Sequence, residues 1–249
     1  MSAGVRSSSW TALRRSVVWD GLQDALEALG EGPLAVVDAG GGSGGLAVPL
    51  AELGHRVGVV DPSPDSLAAL ERRAAERGVG DRIVGRQGDL STLPELVPSG
   101  SADVLLCHGV LEVIDDPARA LAAAVAAIRE GGMVSILAAN RMGAVLARAL
   151  AGHPDEALAA LEDPAGRWGR NDRLARRFDR PALLRMVTEA GLEIETVHGI
   201  HIVLDLLPGS MADADPEVTD ALARLERAAS RQPVLGGVAT QFHVLARRP

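Results

Sequence analysis

Short apolar runs rich in Val, Ile and Leu alternate with longer Ala-, Leu-, Arg- and Glu-rich stretches of helical period. That alternation is the pattern of βαβ units wound around a parallel sheet. It predicts strands near Ala35–Asp38, Arg56–Asp61, Arg82–Gln87, Ala102–His108 and Met133–Ala138, with helices near Gly44–Leu53, Pro64–Arg77, Ser91–Val97 and Pro117–Arg129. A leading helix over Thr11–Leu29 carries Leu13, Val17, Leu22, Leu26 and Leu29 at helical spacing. After the fifth strand the alternation breaks: Arg141–Leu161 is helical in pattern, and Glu162–Phe178 is polar and Arg-rich. It then resumes with a helix at Arg180–Ala190, a strand near Glu193–Leu204, a helix at Pro216–Ser230 and a last strand at Thr240–Ala246. The predicted fold is α/β and Rossmann-like: a seven-stranded, mostly parallel sheet with helices on both faces, an antiparallel last strand, and a small helical insertion after strand 5.

A chain of 249 residues that is 47% hydrophobic has material for one substantial core. The expected organisation is a flexible tail over 1–9 and one domain over 10–249, with a helical, Arg-rich cap insertion at 141–180. The formal net charge of −8 excludes a global basic field for a nucleic-acid backbone, so such a partner needs a local patch. All 25 basic residues are Arg, which lowers the information in any one Arg cluster. Cys107 lies in the apolar run Val104–Cys107 and reads as a buried strand position. No signal-peptide core precedes Ser9 and no apolar stretch reaches membrane-spanning length, so a cytoplasmic protein without membrane or metal partners is expected.

The candidate chemistry sits at strand ends. The first strand runs through Asp38 into Ala39-Gly40-Gly41-Gly42-Ser43-Gly44-Gly45 and then into a helix, where open α/β sheets bind ligands. Gly40, Gly42 and Gly45 alone also fit a dinucleotide fingerprint. Asp38 separates the alternatives, because a carboxylate there repels a pyrophosphate. S-adenosyl-L-methionine has no phosphate and carries a cationic amine and a sulfonium. Asp61 ends the second strand and suits two ribose hydroxyls, as in NAD enzymes too. Asp89 follows the third strand and can accept an adenine amino group while the Leu90 amide reads the ring; a helix N-cap explains Asp89 equally well.

Across the core, Val36–Gly42, Asp61-Pro62-Ser63, Gly88-Asp89-Leu90, Ala102–His108 and Glu130-Gly131-Gly132 resemble the class I S-adenosylmethionine-dependent methyltransferases. More narrowly, Leu13 to Trp19, Asp38–Gly42, His108–Glu112, Arg129–Gly132 with Asn140, and Arg231-Gln232-Pro233 through His243-Val244 resemble the bacterial tRNA 5-carboxymethoxyuridine methyltransferase family. That resemblance implies Arg14 at the cofactor's carboxylate and His108 beside its methionine end, with His108 the candidate catalytic residue. It also implies an acceptor that is itself a carboxylate, on a wobble uridine in a tRNA anticodon stem-loop. Asn140 and Arg141, with Arg170, Arg173 and Arg177 from the Arg-rich segment, are the candidate acceptor contacts. That segment also reads as a solvated linker. Two other readings stand: a methyltransferase for a quinone, polyketide or fatty acid, with Val145, Leu146, Leu150, Leu158 and Leu161 forming an apolar lid, and a non-catalytic cofactor-binding module.

Overall fold

A computed structural model describes residues 17–206 and 215–249. Helix α1 occupies 17–28, followed by β1 (Ala35–Ala39), α2 (Ala47–Glu52), β2 (Arg56–Asp61), α3 (Pro64–Glu76), β3 (Ile83–Gln87) and α4 (Leu93–Leu96). Then come β4 (Ala102–His108), α5 (Pro117–Val125), β5 (Ile128–Ala139), α6 (Arg141–Leu150) and α7 (Pro154–Glu162). The chain closes with α8 (Arg180–Glu189), β6 (Glu193–Ile200), α9 (Pro216–Ser230), α10 (Pro233–Gly236) and β7 (Gln241–Arg247).

The seven strands form one sheet in the order β3-β2-β1-β4-β5-β7-β6. Strands β1 to β5 pair in parallel, with Asp38 opposite both Val59 and Leu106. Strand β7 runs antiparallel to β5: Asn140 N–H donates to the Thr240 carbonyl, whereas near the other end Gly131 N–H donates to the Arg248 carbonyl and Arg248 N–H to the Gly132 carbonyl. The strands are apolar runs because a parallel sheet covered by helices buries both faces; Val36, Val59, Leu105, Leu106 and Val134 are all at most 2% exposed.

Contacts divide the chain into two units. One holds described residues up to 24, 138–180 and 197–243; the other holds 25–137, 181–196 and 244–249. In the second unit, Ser63 caps α3 by accepting the Ser66 amide, and Asp116 caps α5 by accepting the Arg119 amide. In the first, Asn140 caps α6 by accepting the Met142 amide.

Several boundaries differ from the sequence pattern. The pair β4–β5 contains a register shift between Ala102 and Val104, so β5 starts at Ile128 and absorbs the end of the predicted fifth helix. The predicted helix Arg141–Leu161 is two helices, because Gly152 adopts φ +81° and Pro154 starts α7. Strand β6 stops at Ile200; beyond it His201 has φ 58°, and the Glu226 carboxylate accepts the amides of Ile202, Val203 and Leu204.

Candidate cofactor site

The glycine loop after β1 is shaped by what lies against it. Gly40 has φ +75°, and a Cβ there would fall 2.5 Å from Val110 Cγ2. A Cβ on Gly41 would fall 2.5 Å from Asp38 Oδ2, so the Asp38 carboxylate packs directly against the loop. Only glycine fits at both positions. The amide of Gly42, at φ +55°, donates to Asp61 Oδ2 at 2.9 Å, while Asp61 Oδ1 accepts the Ser63 amide at 2.9 Å. One carboxylate therefore ties the end of β2 to the loop after β1.

These strand ends open into a cavity of about 800 Å³, within the size range of nucleoside-bearing ligands. Its wall includes Gly40, Asp61, Asp89, Leu90 and Ser91 from the first three strand ends. The segment after β4 adds Gly109, Val110, Val113, Asp115, Asp116 and Arg119. Four carboxylates thus face one guanidinium, a wall that disfavours a pyrophosphate and suits a cationic ligand rich in hydroxyl and amino donors. S-adenosylmethionine has that donor set, and bare backbone at Gly40 lets a ligand lie close. The residues fit the group.

Asp89 closes the turn ahead of α4 and is not its N-cap, a position held by Thr92: Oδ1 accepts the Ser91 amide at 2.9 Å, the Ser91 hydroxyl at 2.5 Å and the Thr92 amide at 3.1 Å. The Ser91 hydroxyl bond is the main cause holding its carboxyl below the usual range. All these bonds fall on Oδ1, and Asp89 still lines the cavity.

Asp38 is 2% exposed, and its pKa is raised to about 7, first by burial and then by the charge of Asp61. The sign follows from linkage. The folded chain holds this proton more tightly than the unfolded chain, so its stabilising effect is complete below pH ~4 and is lost as pH rises toward about 7. Asp38→Asn is therefore expected to raise the stability of the ligand-free protein at pH 8 by about 1–3 kcal/mol, with the gain vanishing as pH falls toward 4. Melting temperature against pH checks this; a gain that persists at pH 4 would contradict it.

His108, at the end of β4, is partly buried, and its Nε2 lies 2.8 Å from Ser135 Oγ. Burial pushes its pKa down to about 4, so the imidazole is neutral at physiological pH. His108, Asp38, Gly41 and Gly42 are not on the cavity wall: His108 and Gly41 are next in sequence to wall residues, Gly42 donates to the wall residue Asp61, and Asp38 packs against Gly41. Arg14 lies outside the described residues. Burial, with the charges of Glu112 and Asp38 behind it, pushes the Cys107 thiol up, and it is an inert strand residue. Among the described residues, no group of His, Cys, Asp and Glu could hold a metal, and no helix is long and apolar enough to cross a membrane.

The proposed acceptor contacts fall into two kinds. Asn140 is 1% exposed and donates to the carbonyls of Gly237 and Ala239. Arg141 makes a two-point bond to Asp179, at 3.0 and 2.7 Å. Arg177 grips Asp172 at 2.6 and 3.0 Å, donates to the Gly166 carbonyl and lies 3.6 Å from the centre of the Trp168 ring, over which Arg148 also sits. These three side chains are spent inside their own unit. Arg170 and Arg173 are exposed, with no side-chain bond or ion pair among the described residues. Sequence reasoning missed the wall after β4, from Val113 to Arg119; Gly109, at φ +69° directly after His108, is the available signal.

The fold and cavity define an S-adenosylmethionine-dependent methyltransferase. Residues 37–136 match the family model described as a methyltransferase domain. The chain is 30% identical to the tRNA 5-carboxymethoxyuridine methyltransferase of Escherichia coli (strain K12) over 243 residues, 95% of this chain and 88% of that one, and it belongs to that family. It is also 31% identical to the ubiquinone biosynthesis O-methyltransferase of Xanthomonas euvesicatoria pv. vesicatoria (strain 85-10), over 66% of this chain and 65% of that one. Among solved structures, geranyl diphosphate C-methyltransferase from Streptomyces coelicolor A3(2), in complex with S-adenosyl-L-homocysteine, superposes with a TM-score of 0.60 at 16% identity. That likeness covers 91% of this chain and 77% of that one, and concerns the fold alone.

Proposed function

We propose that the chain is a cytoplasmic enzyme that methylates the carboxylate of a 5-carboxymethoxyuridine at the wobble position of tRNA. The observation that carries this reading is the kinship with the tRNA-modifying relative, which spans 95% of the chain where two quinone-modifying relatives span 66% and 81%. When bound, the cofactor supplies a methyl group on a sulfonium. In this reading Asp61 accepts the ribose hydroxyls with the lone pairs that the Gly42 and Ser63 amides leave, and Asp89 and the Leu90 amide receive the adenine. Gly40, Gly41 and Gly42 admit the methionine end, Asp38 and His108 border it, and Arg14 meets its carboxylate.

An acceptor carboxylate titrates near pH ~4 and is already a nucleophile at neutral pH, so no general base is required. His108 agrees: with a pKa of about 4 its imidazole is a poor base for a phenol or amine. The work left to the protein is positioning. Arg170 and Arg173 are exposed cations of the Arg-rich segment that an RNA can reach, while Asn140, Arg141 and Arg177 hold their unit in shape.

Replacing Arg170 and Arg173 together with Ala is expected to weaken binding of a 5-carboxymethoxyuridine stem-loop. The logarithmic salt slope should become shallower by about 0.7–0.9 for each phosphate that is no longer neutralised, with cofactor affinity unchanged. Stem-loop titrations at several salt concentrations check this. An unchanged slope, together with a higher KM in Leu150→Ala, would instead favour the small-molecule reading; Leu150, Leu158 and Leu161 are exposed on α6 and α7.

A further inference from the structure

Arginines around the first unit are matched with carboxylates: Arg141 with Asp179, Arg148 with Glu156, Arg177 with Asp172 and Arg227 with Asp20. Arg180 and Arg231, like Arg170 and Arg173, stand outside this pairing. Neither makes a side-chain hydrogen bond or ion pair among the described residues, yet both line one notch of about 30 Å³. Arg180 opens α8 and Arg231 follows the last turn of α9, so residues about 50 apart in sequence are brought together by the fold. The rest of the wall includes Ser230, Gln232, Gly199 and Gly236, and no carboxylate.

The notch has a closed floor, since a Cβ on Gly199 would fall 2.5 Å from Gly236 Cα and the two backbones lie against each other. The Ser230 hydroxyl is committed to the Arg227 carbonyl and the Gln232 backbone N–H to the Ala229 carbonyl, which leaves the Gln232 side-chain amide and the two guanidinium forks as the donors. His198, next to Gly199, reports the local field. Burial first, and then the positive charge of Arg231, hold its imidazole below the ordinary range against the opposing pull of Asp24. A guanidinium fork matches the paired oxygens of a carboxylate or phosphate. The volume exceeds what one ordered water needs, so the notch admits the oxygens of a small oxyanion whose remainder stays in solvent.

We propose that this notch binds a single oxyanion group, a phosphate or a carboxylate, between the guanidiniums of Arg180 and Arg231 with the Gln232 side-chain amide as a further donor. The site is built from its own residues and does not rest on the tRNA reading. Phosphorus NMR of inorganic phosphate titrated with the full chain tests it, using wild type, the Arg180→Gln/Arg231→Gln double variant and Arg185→Gln as an exposed control. Saturable line broadening by wild type and by the control, reduced at least fivefold in the double variant, is the expected result. Both variants change surface residues, and matching circular dichroism melts confirm that they fold. Displacement of phosphate by dimethyl phosphate identifies a nucleic-acid-type phosphodiester as the natural group, and displacement by acetate identifies a carboxylate. No saturable broadening in wild type, equal broadening in the double variant, or displacement by neither competitor would overturn the proposal. These outcomes are read without methyl transfer, so they remain separate from the fate of the tRNA reading.

Discussion

Asp61→Ala is expected to reduce S-adenosylmethionine affinity about a hundredfold or more in a folded protein. Asp61 is 8% exposed on the wall of the main cavity, with one oxygen held by the Gly42 amide and the other by the Ser63 amide. Each bond to an ionised acceptor contributes about 1.5–3 kcal/mol, so losing two ribose hydroxyls costs about 3 kcal/mol or more. The substitution also frees Gly42 from β2, which loosens the loop and adds to the loss. Asp61→Asn keeps one acceptor oxygen and should fall between the two. Calorimetric titration measures all three proteins; unchanged affinity in folded Asp61→Ala, or tighter binding of NAD than of S-adenosylmethionine by wild type, would contradict the assignment.

Arg177→Ala is expected to lower global stability by about 3–5 kcal/mol, because it leaves the carboxylate of Asp172 buried without its cation. The two side chains are 4% and 0% exposed. Burial pushes the Asp172 carboxyl up, but the bonds from Arg177 and from the amides of Trp168 and Leu174 outweigh it and hold the group below its usual range. The same guanidinium closes the turn at Gly166 and covers the Trp168 ring, so its loss also opens the segment 163–178. A typical domain has only about 5–15 kcal/mol in all. Denaturant unfolding should show the shift, whereas exposed Arg173→Ala should stay within about 0.5 kcal/mol of wild type. Combining Arg177→Met with Asp172→Asn should recover part of the loss, since it removes both buried charges. Wild-type stability in Arg177→Ala would show that the pair is not the anchor of this segment.

The contrast between these two sites explains what could be read from the sequence. The groups around the cavity were legible because a parallel sheet presents its strand ends in chain order: Asp38, Gly40, Asp61 and Asp89 each follow an apolar run, and each of the first four predicted strands leads to the cavity or the loop beside it. The Arg-rich segment was less legible because charge is visible in a sequence and its partner is not. Asp172 and Asp179 are interleaved with the arginines, and their carboxylates turn part of the basic segment into internal clamps. The break at Gly152 and Pro154 was written in residue types whose meaning depends on neighbours, and helical period alone carried the prediction across it. The long β5 was hidden by Gly131 and Gly132, which a strand pattern rejects unless a register shift accommodates them.

The central claim is that this methyltransferase acts on a wobble carboxylate. Mass spectrometry of nucleosides from tRNA of a strain lacking the chain, beside its parent and a complemented strain, tests it most directly. The account predicts that the deletion strain loses the methyl ester of 5-carboxymethoxyuridine and accumulates the free acid, and that complementation reverses both changes. Methyl ester at the parental level in the deletion strain would contradict it.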